Sequence, residues 1–281
     1  MIDWDESTEI AALERIGGKK ATSALRQALS NEDSHVRRRA VESLGEIAGE
    51  VAIPTLRRIL SDKSSGVRKK AVEALEGIGT EAVIPALQQA LQDDEPAVRE
   101  RTVEALGQIR TEATIPVLKQ AITDSEFTVR KRVVETLELV GGPAAIAVLS
   151  QVLNDESPNI RERAVEALEQ IRTEASIPVL SLALKDADSS VRRRAVEVLE
   201  SIGGESGVLA LSQALLDEST SVRRRAVEAL QHIGTESVIP ILSAALADQS
   251  PLVRRRVVEA LEEIGSAAIV PALRKAFQQG S

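Results

Sequence analysis

The stretch DKSSGVRKKAVEALEGIGTEAVIPALQQAL, residues 62–91, contains the whole unit from which this chain is made. Val67, Ala71, Val72, Leu75 and Ile78 fall at i, i+4, i+5, i+8 and i+11, which lays one apolar stripe along a helix over residues 65–78, helix B. Val83, Ile84, Leu87, Ala90 and Leu91 mark a shorter amphipathic helix A. Between the two, Gly79 can take the left-handed position that ends one helix, and Thr80 can cap the next. Pro85 lies about one turn into helix A, where its missing donor should kink or loosen the first turn. The pair reads as a helical hairpin whose apolar stripes need neighbours.

The neighbours are in the same chain. Val36, Val67, Val98, Val129, Ile160, Val191, Val222 and Val253 recur at a spacing of 31 residues without an insertion or deletion. The next residue is arginine in every copy, and five residues beyond it stands a glutamate, from Arg37 and Glu42 to Arg254 and Glu259. Pro54, Pro85, Pro116, Pro178, Pro240 and Pro271 keep the same phase, with Ala147 and Leu209 at the two gaps. A fixed period of this size is the signature of a repeat array. The expected organisation is a single domain over 1–281, with an N-terminal capping helix (1–18), eight 31-residue helix pairs (19–265) and a C-terminal capping helix (266–281), about nine pairs in all. Trp4 reads as a lid on the first pair, and Phe277 replaces the usual leucine in the last helix. Arg110 and Arg172 replace the junction glycine, so those turns are expected to close less tightly; Gly141-Gly142 and Gly203-Gly204 are the expected places for flexibility or a change of curvature.

Composition narrows the function. Of 281 residues 43% are hydrophobic, yet the rings amount to one Trp and two Phe, so the core must be aliphatic. The absence of cysteine excludes disulfides, thiolate metal sites, thiol nucleophiles and a cysteine-linked cofactor, and favours a reducing compartment. No apolar run has the length of a membrane span, and Met1 to Asp5 is acidic where a signal peptide would be basic, so a cytoplasmic location is expected. A net charge of -8 argues against long-range attraction to nucleic acid or anionic lipid.

The pattern Leu-x-Asp-x-x-x-x-Val-Arg-x-x-Ala-Val-x-x-Leu-x-x-Ile-Gly-x-x-x-x-Ile-Pro-x-Leu resembles the HEAT repeat, in the short form of the phycobilisome-lyase HEAT-like family and of engineered alpha-helical repeat proteins. The resemblance covers almost the whole chain. It implies an all-α, right-handed α-α superhelix with helix B on the concave side, and for function a scaffold, an adaptor or a lyase subunit. The first expectation is a non-catalytic scaffold or adaptor that binds a protein partner on helix B. The alternatives are a phycobilin lyase-like or phycobilisome-processing protein, disfavoured by the few rings, and an engineered repeat protein, favoured by the uniform phase and disfavoured by unequal columns.

Periodicity also sorts the charged residues. Arg68 follows Asp62 by six residues, an offset repeated down to Asp248 and Arg254, so the arginine is expected to fold back on that aspartate and reach a neighbouring repeat with its second edge. That is a staple between repeats rather than an anion ladder. The following two columns are mostly basic and stand beside the glutamates, leaving a surplus toward Arg193, Arg224 and Arg255. Two columns vary freely: His35, Gly66, Ala97, Thr128, Asn159, Ser190, Ser221 and Leu252, and Glu46, Gly77, Gln108, Leu139, Gln170, Ser201, His232 and Glu263. Phe127 is a ring in an A-to-B turn and could anchor a partner. The candidate partner-binding residues are therefore His35, Arg38, Lys69, Gln108, Phe127, Lys131, Arg193, Arg224, His232 and Arg255.

Catalytic chemistry finds no foothold. His35 and His232 stand in the first and seventh B helices, too far apart to share a metal, and Gly17-Gly18-Lys19-Lys20 lacks the spacing of a phosphate loop. Asp93-Asp94-Glu95 lacks the alternation of a calcium loop, and the periodic glutamates sit beside bases that keep them ionised. No catalytic, cofactor or metal residue is expected. A monomer with a protein partner is, without nucleic acid or membrane.

Overall fold

The structure is a computed structural model in which residues 18–265 are described. The expected capping helices, with Trp4 and Phe277, lie outside them. Among the described residues there is no strand, and helices alternate short and long in eight pairs: α1 (Gly18–Ala28) and α2 (Ser34–Ala48), α3 (Ile53–Ile59) and α4 (Ser65–Ile78), α5 (Ile84–Ala90) and α6 (Pro96–Ile109), α7 (Ile115–Ala121) and α8 (Phe127–Val140), α9 (Gly142–Val152) and α10 (Pro158–Ile171), α11 (Ile177–Ala183) and α12 (Ser189–Ile202), α13 (Gly204–Ala214) and α14 (Thr220–Ile233), α15 (Val238–Ala244) and α16 (Pro251–Ile264). The chain divides into two compact units, Met1–Val148 and Leu149–Ser281. Each unit is an α-solenoid of stacked helix pairs. Within each, successive B helices pack on one another far more extensively than successive A helices do, which makes the B helices the tighter layer.

The periodic leucines build both cores. Leu56, Leu87 and Leu118 from A helices meet Leu44, Leu75, Leu106 and Leu137 from B helices in the first unit, and Leu180, Leu211 and Leu242 meet Leu168, Leu199, Leu230 and Leu261 in the second; all have no exposed surface. A helix too short to be stable alone is held by this burial rather than by propensity.

The prolines act differently from expectation. They do not kink an A helix but mark where its α-helical part begins: Pro54, Pro85, Pro116 and Pro178 are each the second residue of a seven-residue helix. With no N–H, Pro85 cannot extend the i→i−4 ladder upstream, so residues Glu81–Val83 form a tight 3-10 turn in which the Val83 amide donates to the Thr80 carbonyl at 3.1 Å. Where the phase lacks proline, in α1, α9 and α13, the helix runs for 11 residues.

The junctions also hold a correction. Arg110 (φ 54°) and Arg172 (φ 46°) adopt the same left-handed conformation as Gly79, Gly234 and Gly265, at the cost of strain, and the Arg172 amide closes its turn on the Leu168 carbonyl at 3.1 Å. Nor does Thr80 cap: its hydroxyl donates to Glu50 Oε1 at 2.7 Å, whereas Thr111 and Thr173 accept from the amides of Ala113 and Ala175. Arg110→Gly should raise stability by about 0.5–1 kcal/mol, read as a higher urea midpoint. An unchanged or lower midpoint would show that the left-handed arginine is unstrained.

Candidate functional site

Each B helix presents three rows of charge, and the structure gives them different work. The first row is the most deeply set, with Arg37, Arg130, Arg192 and Arg223 buried, Arg68, Arg99 and Arg161 half-buried and Arg254 exposed. The Arg37 guanidinium donates Nε and Nη2 to Asp62 Oδ2 and Oδ1 at 2.7 and 2.8 Å, while Nη1 donates to the carbonyls of Asn31 and Glu32, both at 2.9 Å. Arg68 and Arg99 repeat this on Asp93 and Asp124 in the first unit, and Arg161, Arg192 and Arg223 on Asp186, Asp217 and Asp248 in the second. The carboxylate each of these arginines grips lies 25 residues ahead, in the neighbouring repeat the staple was expected to reach, while the residue six behind contributes its backbone carbonyl where its carboxylate was expected. The gripped aspartate also accepts from the amide two residues on, as Asp62 does from Ser64 at 2.8 Å, so one carboxylate fixes its own A-to-B turn and the preceding repeat.

This environment sets the ionisation. Burial pushes the carboxyls of Asp62, Asp93, Asp124, Asp186 and Asp248 up, but the arginine hydrogen bond, the backbone amide and the positive charge together hold them below the ordinary aspartate range. The partnered arginines are raised by the hydrogen bond to the same carboxylates.

Apart from the exposed Arg39, the second row is half-buried and also joins repeats, beyond the pairing within one helix that the sequence leads one to expect. Lys70 lies 2.6 Å from Glu73 on its own helix and 3.5 Å from Glu42 on the previous B helix. Arg194 reaches Glu197 at 2.9 Å on its own helix, and Glu166 and Glu169 on the previous one at 3.5 and 3.3 Å. Arg101 ties Glu104 on its own helix to Glu76 on the previous one in the same way, whereas Arg225 pairs with Glu197 and Glu200, both on the previous B helix. The signal was available in the numbering, since i+3 within a helix and i−28 across repeats select the same glutamate column.

The third row faces solvent. Arg38, Lys69 and Lys131 in the first unit, and Arg193, Arg224 and Arg255 in the second, are all exposed; Glu100 and Glu162 interrupt the row. Arg224 approaches Glu228 only at 3.8 Å, while Arg255 pairs with Glu259 at 2.8 Å. Flanking this row are the two variable columns, exposed at all of their described positions except the half-exposed Ser190 and Ser201. His35 lies at N-terminal end of this face with Nδ1 3.4 Å from Arg38 Nη2, and Gln108 is exposed near the end of α6. His232 is exposed and places Nδ1 2.5 Å from Glu200 Oε1. Phe127, the first residue of α8, is 41% exposed, and the apolar members of the variable columns, Leu139 and Leu252, are more so. The structure thus gathers the candidates of each unit onto one face of its B layer, with Phe127 at its rim.

A polar groove in the first unit, between the turns around Asp93 and Asp124, contains Arg99, whose guanidinium already holds Asp124. Among the described residues no group of three or more histidine, aspartate and glutamate side chains could hold a metal ion, and no helix is long and apolar enough to cross a membrane.

With this geometry in view, the chain can be placed among known proteins. The family model described as HEAT repeats matches residues 7–76, 58–138, 118–200, 178–249 and 208–281. No curated protein matches. Among solved structures, an engineered protein is 23% identical with a TM-score of 0.48, covering 98% of this chain and 90% of its own. Human deoxyhypusine hydroxylase in complex with glycerol is 25% identical with a TM-score of 0.40, over 90% and 97% of the two chains. The complex of CpcE and CpcF of phycocyanin lyase from Nostoc sp. gives 19% and 0.43, over 88% and 96%. The family model accounts for nearly the entire sequence and for the repeat unit seen in both units: the chain belongs to the HEAT-repeat family.

Proposed function

We propose that the chain is a non-catalytic interaction scaffold or adaptor that binds a protein partner along the exposed face of its B helices. The observation that carries this is a division of labour among columns. Those that are uniform from repeat to repeat are buried or paired across repeats, while those that vary are exposed beside the third charged row. Uniform columns build the array; variable columns on a regular frame are how such an array presents a specific surface. The reading takes the chain as one repeat domain, since the 31-residue phase runs unbroken through residue 148, and as a monomer in the cytoplasm, supported by the lack of cysteine. His35, Arg38, Lys69, Gln108, Phe127, Lys131, Arg193, Arg224, His232 and Arg255 are the residues proposed to meet the partner.

A photo-crosslinking amino acid placed in turn at Gln108, Ser201 and His232, and at the exposed Arg58 and Gln213 of A helices, tests this in the producing cells. The expected result is one protein captured at the B positions and not at the A positions. Capture confined to A positions, or none at any, would contradict the reading.

A further inference from the structure

We propose that the B face of the second unit binds an acidic segment in polyproline II conformation, with a carboxylate at every third residue seated on Arg193, Arg224 and Arg255. This rests on the scaffold reading and names its partner chemistry. The three arginines occupy one position on the consecutive helices α12, α14 and α16, which pack side by side. Packed helices lie about 8–10 Å apart, so the row offers a cation at about that interval. Arg193 is exposed and enters no ion pair among the described residues, and the side chains of Arg224 and Arg255 are 53% and 79% exposed.

Among regular conformations this interval selects one. A polyproline II chain has three residues per turn and a rise of about 3.1 Å, so every third side chain returns to the same side after about 9.3 Å. A strand covers a similar distance in three residues but turns alternate side chains to opposite faces, and an α-helix reaches it only between its sixth and seventh residues. The pre-set extended conformation also lowers the ordering entropy on binding.

The neighbouring row makes the choice between anions. Glu197, Glu228 and Glu259 stand four residues beyond Arg193, Arg224 and Arg255, on the same helix face. A duplex, with phosphate on every side, would meet this acidic row as well as the basic one. A peptide can turn carboxylates to the arginines and neutral or basic side chains to the glutamates. Leu252, 61% exposed and one helical turn before Arg255, gives an apolar seat at the end of the row for a proline ring or aliphatic side chain.

The test is fluorescence anisotropy of the full chain with labelled (Glu-Pro-Pro) repeated four times, against a peptide of equal composition whose glutamates are consecutive. The period-three peptide should bind at least tenfold tighter, weaken as salt rises, and lose at least tenfold with R193E/R224E. The control R26E/R58E makes the same charge change on exposed A-helix positions and should leave affinity unchanged. Equal affinity for the two peptides, an equal loss in the control, or tighter binding of duplex DNA would overturn the proposal. If either of the first two occurs while crosslinking still captures a protein at the B positions, the acidic-segment inference falls and the scaffold reading stands.

Discussion

Arg37→Met should destabilise the first unit by about 3–5 kcal/mol, the range for breaking one side of a buried ion pair. Arg37 is 4% exposed and its partner Asp62 only 9%, so removal of the guanidinium leaves a buried carboxylate with the Ser64 amide as its remaining donor. The carbonyls of Asn31 and Glu32 lose their side-chain donor at the same time. Methionine fills most of the volume, so the loss reports the pairing and not a cavity. Urea unfolding followed by circular dichroism measures it. R37M/D62N should recover part of the loss, because the neutral amide no longer strands a charge; a double variant less stable than R37M would contradict the assigned pairing.

Acid should produce a still larger effect, since five such aspartates titrate together. Asp62, Asp93, Asp124, Asp186 and Asp248 are held below the ordinary value by arginine and backbone donors that outweigh the burial pushing them up. In the unfolded chain an aspartate titrates near about 3.9. Around and below that pH the unfolded chain binds more protons than the folded one, so stability is fully present above about pH 5 and is lost as pH falls through about 4 toward the lower folded values. The urea midpoint should stay nearly level from pH 7 to about 5 and drop steeply below about 4. A steep drop between pH 7 and 6 would contradict the assignment of the acid loss to these aspartates.

Most of the architecture was legible because it is periodic. The stripe through Val67, Ala71, Val72, Leu75 and Ile78, repeated every 31 residues, gave the helix pairs and the buried leucines directly. That Arg68 reaches a neighbouring repeat was legible, but not which carboxylate it grips, because the aspartate column is as uniform as the arginine column. Asp62 and Asp93 are equivalent by sequence, and only the stacking of one turn on the next selects Asp93. The α-helix boundary at Pro85 depends on a hydrogen bond that cannot form, and periodicity alone does not locate it. At Arg110 the left-handed turn forms without glycine, since a side chain strains that conformation but does not forbid it. On the B face, exposure separates the third row from the first two, and a string of adjacent arginines carries no such distinction.

Arg223 and Arg224 are neighbours in sequence with opposite assignments, one gripping Asp248 at 2.7 Å and 4% exposed, the other facing solvent. The melting temperatures of R223M and R224M, compared side by side, test that division most directly. The account predicts that R223M melts lower by about 6 °C or more, the shift for a loss of about 3 kcal/mol in a chain of this size, while R224M melts within about a degree of the parent. Equal losses in the two variants would contradict it.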